Sequence, residues 1–291
     1  MNRFTIKNIE NLSGIKAHTL RIWEQRYNLI VPKRKESNHR FYDNEDLKHI
    51  LRIAYLYHNG YKISKIAGLK QDELKKLSAG QKNFTSPAAL VNQMIEAAID
   101  FDEEQFENIL LRAVEMFGFE ICITNVVYPY FEKIGMLWLH DSAMPAQEHF
   151  ASNIIRNKLI VRIDKLKKPE NPDRGYTLLF TPEGEYHEIP LLFIYYLLKK
   201  NNVPVIYAGT SVSNNVIETL CDSKKIPSLH FHLITNFMNM EPGEYVTDAC
   251  KRFSNKQIIM SGPVINSVTA MPSNFRMLQS MDDIMAYTQG K

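Results

Sequence analysis

The sequence predicts a chain of mixed α and α/β class in three modules, on three observations. From Thr5 to Leu77 and from Ala88 to Lys168 apolar residues recur at helical spacing, in the latter without a convincing strand; beyond Lys168 short apolar runs alternate with helical stretches; and two polar, loop-rich stretches, Ser78–Pro87 and Lys168–Gly175, punctuate the pattern. A length of 291 residues, at about 150 per domain, points to two domains, each long enough to bury a core of its own, and the pattern then divides the chain into three modules. The 45% apolar and 23% charged fractions exclude bulk disorder. The expected domains are 1–77, 88–168 and 176–291.

In the first domain a short helix around Ile6–Leu12 stops at Ser13-Gly14, and a second runs from about Lys16 to Tyr27, ahead of Pro32, which forbids its continuation. Two short helices joined at a glycine form a helix-turn-helix pattern. Leu20, Trp23 and Tyr27 fall on one face of the second helix, leaving His18, Arg21, Ile22 and Gln25 on the opposite one. A basic loop or short hairpin, Pro32 to Tyr42, precedes a helix capped by Asp43 and carrying Leu47, Ile50, Leu51, Ala54 and Tyr55. Residues 1–60 hold 11 Lys or Arg against 6 Asp or Glu, while the whole chain carries only +3. Such asymmetry marks a polyanion-binding head on a body with another task.

Four apolar-striped helices fill the second domain: about Ala88–Ile99, Glu103–Phe117 after the cap Asp102, Ile121–Leu137 and Ala146–Leu166. A four-helix bundle is the simplest packing. In the third, strands at Tyr176–Thr181, Val203–Ala208, Leu229–Thr235 and Gln257–Ser261 alternate with helices near Ile189–Lys200, Asn214–Cys221 and Tyr245–Phe253, and Met277–Gln289 adds one more strand and helix. Alternation of this kind predicts a Rossmann-like, doubly wound parallel sheet. Three widely spaced cysteines without a CxxC pair argue for a reducing compartment, the cytoplasm by default. The longest apolar run, Ile189–Leu198, is too short to span a membrane.

The run His18-Thr19-Leu20-Arg21-Ile22-Trp23-Glu24-Gln25-Arg26-Tyr27, then Pro32, then Asn38-His39-Arg40-Phe41-Tyr42 and Asp46-Leu47, resembles the winged-helix DNA-binding domain of MerR-type transcriptional regulators over roughly residues 3–70. The resemblance implies a dimeric or higher homo-oligomeric regulator on double-stranded operator DNA. His18 and Arg21 become groove-facing candidates, Thr19 a further donor to bases, and Lys33, Arg40 and Tyr42 wing or phosphate contacts.

Trp138, followed after nine residues by Glu148-His149, resembles the cap bundle of the light-sensing, cobalamin-binding branch of those regulators, the CarH and LitR type. There the Trp lies over the upper face of the corrin and the Glu helps to hold an adenosyl group; His149 is placed beside them, and His140 is an alternative upper-face ligand. After the first sheet strand, Glu185-Tyr186-His187-Glu188-Ile189-Pro190 resembles the Asp-x-His-x-x-Gly motif of cobalamin-binding domains. By that resemblance His187 is the lower axial ligand of cobalt and Glu185 orients it. The expected Ser-x-Leu, 41 residues on, falls on His232-Leu233-Ile234, and the expected Gly-Gly, 26 residues further, on Ser261-Gly262. Pro190, His232, Ile234 and Ser261 depart from the motif, and bulk at these positions crowds the slot that small residues leave for a nucleotide tail.

From the residues alone, Trp138 also reads as bundle core and His187 as a solvated loop histidine. His230 and His232 share one strand face, as a two-histidine zinc grip or as hydrogen-bonded core. The sequence therefore predicts a regulator, not an enzyme, whose C-terminal module senses cobalamin, with adenosylcobalamin the suspected form. The alternative keeps the DNA-binding head and makes the body a corrin-free sensor or oligomerisation module. A third reading, a corrinoid methyl carrier or mutase subunit, leaves the basic head unexplained.

Overall fold

A computed structural model describes residues 3–34, 40–78, 86–138, 145–167, 175–235, 240–264 and 272–290, with backbone alone for 136–138. The chain divides into two compact units, Met1–Ile154 and Ile155–Lys291, with the division falling inside one long helix.

In the first unit α1 (Ile6–Ser13) starts at a Thr5–Asn8 capping box and stops at Gly14, whose φ of 71° only glycine adopts cheaply. The second helix, α2 (Ala17–Tyr27), ends at Asn28 in the left-handed region. Asn28, not Pro32, is thus the terminator, four residues earlier than the proline requires. The basic segment is a hairpin: β1 (Lys33–Arg34) pairs antiparallel with β2 (Arg40–Phe41), and the tip, with Asn38 and His39, lies outside the described residues. An Asp43–Asp46 capping box opens α3 (Asn44–His58), which buries Leu47, Ile50, Leu51 and Ala54. Two short helices, α4 (Ile63–Ile66) and α5 (Gln71–Ser78), complete the head.

The bundle begins at α6 (Pro87–Asp100), with Ser86 as cap and Pro87 where no amide is needed, and continues in α7 (Glu103–Phe117) behind its Asp102 cap. The third helix is not continuous. It runs as α8 (Phe119–Cys122), a π-helical turn at Ile123–Val127, and α9 (Tyr128–Trp138). Tyr128 N donates five residues back to Ile123 O, and Pro129 has no amide for the α-helical ladder, so the widened turn absorbs the defect. The fourth helix, α10 (Pro145–Asp164), crosses the boundary between the units.

Polar links among the described residues help to join head and bundle into one unit. Arg52 of α3 donates through Nε and Nη2 to Glu96 Oε2 of α6 at 3.0 and 2.6 Å. Lys48 Nζ donates to both carboxylate oxygens of Asp100 at 2.8 and 2.9 Å. Lys133 of α9 reaches the carbonyl of Leu12 at the end of α1 at 2.9 Å and Asn92 Oδ1 at 3.0 Å.

The second unit is a five-stranded, all-parallel sheet of β3 (Thr177–Pro182), β4 (Val205–Val212), β5 (Ser228–His232), β6 (Gln257–Ser261) and β7 (Phe275–Leu278), in the spatial order β4-β3-β5-β6-β7. The helices α11 (Glu188–Lys200), α12 (Asn214–Ser223), α13 (Pro242–Arg252) and α14 (Met281–Thr288) connect or follow the strands. Leu178, Phe180, Leu229, Phe231, Leu233, Ile258 and Met260 form one core face, packed with Ile217, Val246 and Phe253. After β3 the chain first crosses to β4 on one side and then to β5 on the other. The topological switch point therefore lies at the carboxyl ends of β3 and β5, where open α/β sheets bind ligands. No helix among the described residues is long and apolar enough to cross a membrane.

Candidate functional site

On the head, α2 presents a polar face. His18, Arg21, Ile22 and Gln25 are exposed and Thr19 half-buried, while Leu20 and Trp23 are buried beneath them. The hairpin candidates are placed differently from the sequence reading. Tyr42 is 1% exposed and makes a reciprocal backbone pairing with Phe4, so its ring belongs to the core and is not presented to DNA. Lys33 forms ion pairs with Asp43 and Asp46, and Arg40 Nε donates to Glu24 Oε2 of α2 at 3.1 Å. Both cations brace the hairpin, Arg40 against α2 itself.

At the switch point the loop after β3 and the turn after β5 meet on one carboxylate. Glu185 is 1% exposed, and its Oε1 accepts from His187 Nδ1 at 2.6 Å and from the His187 amide at 3.0 Å. Its Oε2 accepts from the amides of Ile234 and Thr235, both at 2.9 Å, and from Thr235 Oγ1 at 3.1 Å. Burial alone raises such a carboxyl, but these hydrogen bonds, led by that of His187, outweigh it and hold the pKa down at about 2. A carboxylate can only accept, so His187 Nδ1 carries a proton, and in the neutral ring the lone pair is then on Nε2. That is the tautomer a metal-ligating imidazole needs, with its orienting acid already in place. His187 is half-exposed and caps the N-terminus of α11; Pro190 stands in the first turn, where its missing amide costs nothing.

Next to the dyad, His230 Nε2 and His232 Nδ1 both bond Ser261 Oγ, at 2.9 and 2.8 Å. Burial drives both imidazoles down, His230 to about 3 and His232 to about 4, so both are neutral. They are hydrogen-bonded core, and no group of three metal-ligating side chains occurs among the described residues. Gly262 (φ 114°) lies where an added Cβ would stand 2.0 Å from the Leu233 carbonyl oxygen, so backbone approach requires glycine there.

In the bundle, Glu148 of α10 is partly buried, and exposed His149 lies with Nδ1 3.5 Å from its Oε2. The Trp138 side chain and His140 lie outside the described residues. Sequence reasoning missed Tyr130, whose buried hydroxyl has no hydrogen-bond partner among the described residues and whose ionisation Glu148 opposes after burial itself. It also missed Thr235, and the link from Arg156 of α10 and Tyr207 of β4 to Glu188 beside His187, at 2.5 and 3.0 Å. Only the acid-rich loop hinted at that link.

Residues 4–73 match the MerR HTH regulatory protein family, and residues 90–162 match the B12 binding domain family. The chain is 26% identical over 208 residues to the HTH-type transcriptional repressor CarH of Myxococcus xanthus, covering 69% of each chain. It is 27% identical over 225 residues to CarA of the same organism, covering 74% of this chain and 71% of that one. A cobalamin-binding protein from Desulfitobacterium hafniense DCB-2 aligns with 62% of this chain and 85% of its own at 16% identity, with a TM-score of 0.32, too loose to carry an argument. The chain joins a MerR-type helix-turn-helix head to a B12-binding helical module and is homologous to the CarH and CarA repressors.

Proposed function

We propose that this protein is a DNA-binding transcriptional regulator that acts in the cytoplasm as a homo-oligomer, dimer or tetramer. Its sheet domain holds a cobalamin-type corrinoid on Nε2 of His187. The single observation that carries the reading is the Glu185–His187 dyad at the switch point: a buried carboxylate fixing the tautomer of a half-exposed imidazole. These residues fit an axial cobalt ligand. When bound, the corrinoid supplies a coloured cobalt centre with exchangeable axial positions, and adenosylcobalamin would add a light-sensitive upper ligand. Trp138, Glu148 and His149 are the upper-face candidates on the bundle. His18, Thr19 and Arg21 read operator DNA, with the braced hairpin beside them.

The protein's own part is to hold the imidazole, exclude a competing tautomer, and let occupancy bias two arrangements. A ligand shifts such an equilibrium only by its differential affinity; moving it from 1:99 to 99:1 takes roughly a 10⁴-fold difference. The experiment is an absorption spectrum of the full chain incubated with adenosylcobalamin in the dark, then illuminated, with His187→Ala alongside. Retained corrin bands with a histidine-ligated spectrum, lost in the variant, are expected, and illumination changes the bands. No retained corrinoid overturns the reading. A second reading, a body that has lost corrinoid binding, draws on the buried His232–Ser261 pair.

A further inference from the structure

The corrinoid reading leaves open which corrinoid, and the sheet beside His187 bears on that choice. Side chains of β5 alternate between faces. Leu229, Phe231 and Leu233 enter the apolar core on one side, while Ser228, His230 and His232 lie on the other. On this second face His230, His232 and Ser261 are 0%, 6% and 0% exposed, tied together through the Ser261 hydroxyl. The ring of Tyr287 from α14 meets the His230 ring edge-on, with centroids 5.3 Å apart. Its hydroxyl is in hydrogen-bonding reach of Thr177 and Ser228, whose own hydroxyls are 3.0 Å apart at the amino ends of β3 and β5. One column of packed polar side chains thus runs the length of the sheet. Its upper end, His232, adjoins the site: Ile234 and Thr235, immediately after it, donate to Glu185, and both Glu185 and His187 act electrostatically on the His232 ring.

A cobalt ion has one lower axial position. If Nε2 of His187 were to hold the cobalt there, a corrinoid's own nucleotide base would have to be accommodated elsewhere. It needs a channel into the protein or a place in solvent. Among the described residues the sheet side is filled: His230, His232 and Ser261 are buried and bonded to one another, with Tyr287 packed on the His230 ring, and the one buried polar atom there without a hydrogen-bond partner among the described residues is His230 Nδ1.

We propose that His232, locked by Ser261 and His230, is a specificity-determining plug, so that the protein takes corrinoids lacking a lower nucleotide base in preference to complete cobalamins. This rests on the assignment of His187 as the cobalt ligand. The full-length protein is titrated with diaquocobinamide and with aquocobalamin, reading the visible spectrum and equilibrium dialysis. Wild type should bind the cobinamide at least tenfold more tightly. His232→Ser should reduce that ratio below threefold by strengthening cobalamin binding, and His232→Phe, which keeps the bulk, should preserve it. Thermal melts report whether each variant is folded. Cobalamin bound by wild type as tightly as cobinamide overturns the plug and leaves the corrinoid reading standing. Binding of neither overturns both.

Discussion

Replacing Glu185 by Gln tests the dyad without any ligand. The carboxylate accepts from His187 Nδ1, the His187 amide, the Ile234 and Thr235 amides and Thr235 Oγ1, all between 2.6 and 3.1 Å. Its pKa stands at about 2 against an ordinary 4.5. That gap converts to about 3 kcal/mol at neutral pH, and to about 2 kcal/mol once water screening at the half-exposed His187 is allowed for. A glutamine turns its NH₂ toward one of the two donor sets and leaves donor facing donor. The Ile155–Lys291 unit should therefore melt roughly 5–10 °C lower in the variant at pH 7. A lowered carboxyl pKa stabilises fully above the unfolded value and loses that contribution as pH falls toward the folded one. The difference between the two proteins should thus be constant above about pH 5 and fall by more than half by pH 3. Acid loss from His230 is common to both proteins and cancels; because the Glu185 charge raises the His232 pKa, the comparison is made with His232→Phe in both proteins. Scanning calorimetry at pH 7, 5 and 3 measures the difference. A variant within ~0.5 kcal/mol of wild type at pH 7, or a difference undiminished at pH 3, refutes the reasoning.

The two buried imidazoles, lowered from 6.5 to about 3 and about 4, contribute stability that is complete above pH 6.5 and fades as pH falls toward those values. Urea titrations should show up to about 1.4 kcal/mol lost per pH unit per imidazole between pH 6.5 and 4. His230→Phe should roughly halve that slope, and an unchanged slope contradicts the burial argument. On the head, Arg21→Ala should weaken operator binding by about 1–3 kcal/mol in fluorescence anisotropy. Arg40→Ala, acting through Glu24, should cost less; the reverse order would mean that the hairpin, not α2, carries recognition. Breaking the Arg52–Glu96 pair singly, by Arg52→Met or Glu96→Gln, should destabilise the first unit by about 2–4 kcal/mol, while the double replacement should recover part of the loss. Additive losses would show that the two groups do not interact.

Periodicity carried most of the elements because it is local. Asp102 before an apolar stripe gave α7, and an apolar run bounded by polar turns gave β6. Where a competing local signal stood nearby, the louder one misled. The end of α2 at Tyr27 was legible, with Pro32 credited where Asn28 terminates the helix, and the stripe of the third bundle helix hid the break that Pro129 imposes upstream. The hairpin shows a deeper limit. Its charges could be counted, but whether Arg40 faces DNA or Glu24 depends on a contact across 16 positions, and Tyr42 is buried by Phe4, 38 positions away. The Glu185–His187 pair is adjacent in sequence and was legible. Its anchoring by Ile234 and Thr235 was not, since strand order decides which loops meet at the switch point.

The clasp between head and bundle bears on how a signal reaches DNA. A helix-turn-helix on a loose tether adapts to any half-site spacing, so a change in the body alters only its local concentration. Here Arg52–Glu96, Lys48–Asp100 and Lys133 on the Leu12 carbonyl fix α3 and α1 against α6 and α9. The largely buried Arg52–Glu96 pair contributes little net stability, because desolvation offsets attraction, but its misalignment is heavily penalised. Such contacts specify orientation more than they stabilise it. The direction in which α2 points is therefore inherited from the bundle. On the proposed homo-oligomeric reading, the separation of the α2 helices would be set by how bundles associate, and a ligand that changed that association would change which operators two heads reach together.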